Sequence, residues 1–198
     1  NTRPDIALAV SQVARFSSNP KKSHATAIKT LIRYLSGTKH IGIIFSPTES
    51  LDIETFVDAD FAGNWDRKEA LEYRGTAHSR HGFIVHYMGC NILWKSQLQT
   101  EIALSSTESE YTGLSYALRE VIPLMRLLEE MKSHGFPISK TTSDVHCRVF
   151  EDNSGALEMA KVHKIRPRTK HMNVKLHHFR TFVEKGKITL HAIPSDKQ

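Results

Sequence analysis

Long apolar runs are missing from this chain: none approaches membrane-spanning length, and the opening residues carry no signal-peptide pattern. Cysteine is scarce too. The two present, Cys90 and Cys147, lack the paired-ligand spacing of a structural zinc site. They read as free thiols of a reducing compartment, with a disulfide between them as the other option. There is no internal repeat and no low-complexity tract, so a repeat array is excluded. The chain opens on Asn1 rather than Met, as a piece of a longer polypeptide would. What is left is 198 residues, 39% hydrophobic and 24% charged, which suits one ordinary domain or one domain with a small appendage.

Acids are nearly absent from one segment. Residues 161–187 hold nine of the 27 Lys and Arg but only Glu184 of the 21 acids, so the remaining 18 basic and 20 acidic residues leave the rest of the chain at −2. The excess of positive charge is therefore local. Such a patch suits a polyanion, and a solvated basic helix is the plainer reading of it.

Taken in order, Thr2, Pro4 and Asp5 predict a helix start, with Thr2 as the cap and Ile6, Val10 and Val13 at helical spacing behind it. Ser17 to Pro20 breaks the pattern, and a second helix follows through Leu31 and Leu35 to Gly37. Residues 1–40 thus read as a helical hairpin. Strands follow. Ile53 to Ala59 alternates, with Ile53, Thr55, Val57 and Ala59 on one face and Glu54, Phe56, Asp58 and Asp60 on the other. Gly82 to Met88 and Ile92 to Leu98 predict a hairpin around a turn at Gly89 to Asn91. Ser105 to Lys132 is the longest helical pattern, capped by Ser105, Ser106 or Thr107. Val145 to Asp152 is a strand in which Phe150 and Asp152 share a face, as Phe56 and Asp58 do. A short helix from Ser154 to Lys164, an irregular basic loop, a helix from Asn173 to Lys185 and a last strand from Ile188 to Ile193 complete the chain.

Two glutamates open the long helix, and their spacing separates them. Glu110 aligns with Leu114, Ala117, Leu118 and Val121 on the packed stripe, whereas Glu108 aligns with Thr112, Ser115 and Arg119 on the wet face. An acid on a packed stripe needs a partner. The first strand and the Val145 strand are joined through this helix, which is the connection of parallel neighbours, so the meander must lie on the far side of the first strand. The expected architecture is an α/β fold: a mixed sheet of five strands in the order 3-2-1-4-5, flanked by helices and preceded by the helical hairpin. Asp58 and Asp152 then sit at the C-terminal ends of adjacent strands, at a topological switch point, with Glu110 able to point into the same crevice. A strand-terminal Asp taken alone more often caps a turn. Three such acids from distant parts of the sequence repel one another unless cations lie among them, and hard oxygen donors favour Mg²⁺ or Mn²⁺.

The stretches RPDIALAV, RYLSGT, VDADFAG, LSSTESEY, EDNSGAL and RTKHMNVKLHHFR, in this order, resemble the C-terminal part of a Ty1/copia-type retrotransposon Pol polyprotein. The resemblance implies that residues 1–45 are the helical tail of a reverse transcriptase region and residues 46–198 a ribonuclease H-like domain that cuts the RNA strand of RNA/DNA hybrids by two-metal hydrolysis. It implies Asp58, Glu110 and Asp152 as metal-binding acids. Lys161, Lys164, Arg166, Arg168, Lys170 and His171 would contact the nucleic-acid backbone, the rest of the polyprotein would be a partner, and the setting would be a cytoplasmic particle or the nucleus. The sequence departs from the family pattern at Phe61, where Trp is usual. It also departs at its end, where a fourth acid in an Ala-Asp pair would begin and where Asp196 matches a different position. A catalytically inactive nucleic-acid-binding remnant is the alternative. A zinc-binding integrase piece, suggested by His163, His171, His177 and His178, is disfavoured by the missing Cys pair.

Overall fold

The computed structural model of the chain describes residues 2–68, 74–138, 145–161 and 178–195. Alternation at Ile53–Ala59 does produce a strand, β1, whose inward residues Ile53, Thr55, Val57 and Ala59 are all buried while Asp58 is exposed. β1 pairs antiparallel with β2 (Arg80–Tyr87), and β2 antiparallel with β3 (Cys90–Leu98). On its other side β1 runs parallel to β4 (Cys147–Glu151), which runs parallel to β5 (Ile188–Ala192). The order is β3-β2-β1-β4-β5, the mixed ribonuclease H-like sheet expected from the sequence.

The β2–β3 turn falls one residue earlier than expected. Met88 and Gly89 both have positive φ, 54° and 73°, and Tyr87 faces Cys90. Two left-handed residues make the tight turn whose twist matches that of the strands. The register then slips near Val85 and His86, which absorbs Ile92 as the extra residue of a bulge.

The long helix, numbered α3 here (Ser106–Ser133), covers one face of the sheet; α1 is Ala7–Ala14 and α2 is Lys22–Gly37. Leu114, Leu118, Val121 and Met125 of α3, each at most 1% exposed, meet Ile53, Val57, Val85, Cys147 and Val149 of the sheet. α4 (Ser154–Lys161) and α5 (Arg180–Glu184) close the same core beside β5, with Phe179 packed against Tyr111 at a 5.9 Å ring separation. Residues 162–177 lie outside the described residues, and with them the first five residues of the expected Asn173 to Lys185 helix; of its remainder, Arg180–Glu184 is helical. Ser115 corrects the expected wet face of α3: it is 1% exposed, one of a buried run that also takes in Ser109, Glu110, Tyr111, Gly113 and Leu114.

The hairpin of α1 and α2 forms as expected, but its start differs. Arg3, not Thr2, takes the cap position, and its guanidinium donates to both carboxylate oxygens of Asp5 at 2.9 and 2.7 Å and to Thr38 Oγ1 at 2.8 Å. The bidentate fork holds Asp5 in the first turn, and the bond to Thr38 ties that turn to the end of α2. α1 rests on β3, yet no residue of either helix is buried. Among the described residues, no helix is long and apolar enough to cross a membrane. Both cysteines are free and buried, which leaves the disulfide option unused; burial pushes the Cys147 thiol up to about 12.

Candidate metal centre

The carboxylates meet where β1 and β4 end. Phe56 and Phe150 are register partners whose rings stack at 4.8 Å, so one pleat further along Asp58 and Asp152 leave adjacent strands on the same side. Asp58 is exposed and Asp152 half-buried. Burial and then the charge of Asp152 raise the Asp58 carboxyl above its ordinary range.

Glu110 reaches this point from α3, and the first turn of that helix is held firmly. Ser105 Oγ accepts from Glu108 N at 3.1 Å, and Glu108 Oε2 accepts from Leu104 N at 2.9 Å, so Glu108 is spent on the helix start. The Ser109 hydroxyl donates to the carbonyl of Asp60, and Gln99 Nε2 donates to the carbonyl of Ser109 at 2.9 Å. These bonds fix α3 to the ends of β1 and β3, which presents Glu110, 7% exposed, to the sheet. Burial, then the charges of Asp58 and Asp152, hold its carboxyl well above the usual range.

The second acid of the DAD triplet has a different task. Asp60 Oδ1 accepts from Arg80 N at 2.7 Å, and its main chain pairs with Arg80 as well. Asp60 closes the β1–β2 ladder, which is the turn-capping role that any strand-terminal Asp suggests first.

Glu151, which no sequence motif singles out, stands among the predicted acids. It is 0% exposed, and ligand atoms of Glu110, Glu151 and Asp152 all lie within 4.8 Å of one another. Oε1 accepts from Asn153 N at 3.2 Å; Oε2 of Glu151 and Oε2 of Glu110 are buried with no hydrogen-bond partner. Burial and the charge of Glu110 raise its carboxyl too. A signal for it existed. Cys147, Val149 and Glu151 share the inward face of β4, so Glu151 is an acid on a packed stripe, just as Glu110 is. Ser195, equally unmarked by any motif, donates its hydroxyl to Asp152 Oδ2.

Asp58, Glu110 and Asp152 are thus close enough for each to act on another's charge, while the tightest group is Glu110, Glu151 and Asp152, with Asp58 at the rim. The donors are carboxylate oxygens only, the set that suits Mg²⁺ or Mn²⁺. The two buried oxygens without a hydrogen-bond partner fit a cation as their counter-charge. Of the basic residues expected to touch a backbone, Lys161 is exposed at the end of α4. Lys164, Arg166, Arg168, Lys170 and His171 lie outside the described residues, as do Asp196 and the histidines of the zinc reading other than His178.

No protein-family model matches the chain. It is 35% identical over 183 residues to a retrovirus-related Pol polyprotein from transposon TNT 1-94 of Nicotiana tabacum, an alignment that takes in 92% of this chain and 12% of that protein. A retrovirus-related Pol polyprotein from transposon RE1 of Arabidopsis thaliana is 31% identical over 185 residues, 93% of this chain and 12% of its own length. The chain therefore spans about an eighth of the Pol polyproteins it matches. A secreted RxLR effector protein 161 of Plasmopara viticola is 35% identical over 121 residues, 61% of this chain and 79% of that protein. Among solved structures, LC11-RNase H1 is similar at a TM-score of 0.43 and 18% identity, covering 75% of this chain and 88% of that one. A foamy viral protease-reverse transcriptase is similar at a TM-score of 0.42 and 12% identity, covering 96% and 31%.

Proposed function

Because the chain belongs to the Pol polyprotein family of Ty1/copia-type retrotransposons, we propose that its ribonuclease H module hydrolyses the RNA strand of RNA/DNA hybrids. The observation that supports this reading is the grouping of Glu110, Glu151 and Asp152 within 4.8 Å at the end of β4, with Asp58 at the neighbouring end of β1 near enough for its charge to act on Glu110. Divalent cations bound there would supply an activated water and charge stabilisation of the leaving oxygen. The chain's part is to hold the ligands still. Ser109 and Gln99 fix the turn that carries Glu110, and Ser195 orients Asp152. Exposed Asp58 forms the side of the site open to substrate.

Lys161, Lys164, Arg166, Arg168, Lys170 and His171 would hold backbone phosphates, drawn there by the local excess of positive charge. Recognition of the hybrid would rest on helix shape and 2′-hydroxyls more than on base sequence. We also assign residues 1–45 to the tail of a reverse transcriptase region and 46–198 to the ribonuclease H module. That no residue of α1 or α2 is buried supports a hairpin made to pack on further polyprotein chain.

The test is cleavage of an end-labelled RNA/DNA hybrid by the 198-residue chain with Mg²⁺ or Mn²⁺. RNA should be cut only in the presence of the cation, duplex DNA should stay intact, and Asp152→Asn should be slower by about 100-fold or more, the loss of several kcal/mol of charge stabilisation. Binding of the hybrid with no metal-dependent cutting would leave the inactive remnant as the correct reading.

A further inference from the structure

We infer that Glu151 is a ligand of the divalent cation in this site, a carboxylate supplied from the inward face of β4 that joins Glu110 and Asp152. The inference rests on the metal-dependent reading above and adds a residue to it. β4 ends on Glu151 and Asp152 follows it directly, and along an extended chain consecutive side chains go to opposite faces. Asp152 therefore follows Asp58 to one side, while Glu151 follows Cys147 and Val149 toward α3. At that position α3 presents Glu110. The Glu151 and Glu110 residues are 0% and 7% exposed, and each keeps Oε2 buried with no hydrogen-bond partner beyond the other's carboxyl.

Two carboxylates facing each other away from water repel, and neither offers the other a hydrogen while both are ionised. A cation or a shared proton must relieve them. Oxygens within 4.8 Å of one another lie within the span of a single hard divalent cation, whose bonds to oxygen run from about 2.0 to 2.6 Å. Asp152 completes the group from the other face, so a cation has three ligands from two elements before Asp58 is counted. With Asp58 the site holds four carboxylates, and none of them comes from beyond the last strand. If a shared proton relieved the pair instead, Glu151 would only position Glu110, and a neutral amide would serve in its place.

Glu151→Gln separates these cases because it keeps the volume and the bond from Asn153 N while removing the charge. Mn²⁺ binding to the 198-residue chain is followed by calorimetry or electron spin resonance for the wild type, Glu151→Gln, Glu110→Gln and Asp152→Asn. The expected result is a loss of Mn²⁺ affinity of about 10- to 100-fold in Glu151→Gln, comparable with Glu110→Gln, with an unchanged far-ultraviolet spectrum and an apo unfolding temperature equal to or above wild type. Affinity within about twofold of wild type would overturn the assignment. Should Glu151→Gln not fold, anomalous density from wild-type crystals soaked in Mn²⁺ decides. An ion bound by Glu110 and Asp152 but out of bonding distance of Glu151 sinks the proposal. If the wild type binds Mn²⁺ and cuts hybrid while Glu151→Gln binds equally well, only the role of Glu151 fails. If the wild type binds no Mn²⁺, the metal-dependent nuclease reading fails with it.

Discussion

His81 is a buried imidazole with nothing to hold a proton. It is 1% exposed on the inward face of β2, opposite Ala59, and its ring stacks on Tyr116 of α3 at 4.5 Å and 11°. Both ring nitrogens lack a partner. The charged groups nearest it oppose a further positive charge: Lys95 from β3 and Arg80 beside it in β2. Burial first, then those two positive charges, push it down to about 4. In the unfolded chain the same side chain takes up a proton near 6.5. Between those values the unfolded state holds the extra proton, so stability is complete above about pH 6.5 and falls as pH drops toward 4, by a total on the order of 3 kcal/mol. Denaturant unfolding should thus show a loss of about 2 kcal/mol from this group between pH 7 and pH 5. In His81→Phe, which keeps the stacked ring, that part of the loss should vanish; an equal loss in both proteins would refute it. At this scale Glu110 is legible because an acid on an apolar stripe is visible from spacing alone. Glu151 obeys the same rule but is harder to see, since its neighbour Asp152 already matches a family motif and the face of a five-residue strand is a weaker pattern than four turns of helix.

Among the elements, α3 decides how well the site is built, and Gly113 decides how close α3 comes to the sheet. A Cβ at that position would lie 3.2 Å from the Cβ of His81 and 3.3 Å from the Cβ of Ala59. Both obstacles are attached directly to strand backbone, so neither can swing away. Alanine gains about 1 kcal/mol in helix propensity over glycine, while forcing an extra methyl into a packed interface costs about 1 to 3 kcal/mol. The steric cost outweighs the propensity gain. Gly113→Ala should lower stability by about 1 kcal/mol and also weaken Mn²⁺ binding, because a lifted α3 carries Glu110 away from Glu151 and Asp152. A variant stabilised by the full propensity gain would mean that the contact is slack. Element types and sheet order are readable from the sequence because alternation, helical spacing and the β1–α3–β4 connection agree with one another. Element ends are less so: the start of β2 at Arg80 depends on its ladder with Asp60, and the Met88–Gly89 turn depends on left-handed backbone at a residue, Met88, that seldom adopts it.

Across the whole molecule, charge is sorted by sign. The 161–187 segment carries a net +8, nine bases against Glu184, while the rest of the chain sums to −2 and gathers Asp58, Glu110, Glu151 and Asp152 at one end of the sheet. The acidic group is destabilising in the absence of ligands, because folding brings its members together against their own repulsion. Any cation that binds the folded site and not the unfolded chain shifts the equilibrium by mass action. At about ten times its dissociation constant the gain is about 1.4 kcal/mol, which for a chain of this size is roughly 3 to 5 °C of unfolding temperature. Adding Mg²⁺ or Mn²⁺ should therefore raise the unfolding temperature saturably, and a chelator should return it to the starting value. K⁺ at matched ionic strength should not reproduce the effect, since screening alone relieves exposed charges more than buried ones. In Glu110→Gln and Asp152→Asn the apo protein should start at or above the wild-type temperature and gain little from the cation, because the same substitution removes both the repulsion and the site. If K⁺ and Mg²⁺ raised the temperature equally in all three proteins, the acids would be a diffuse negative surface and not a site that holds an ion.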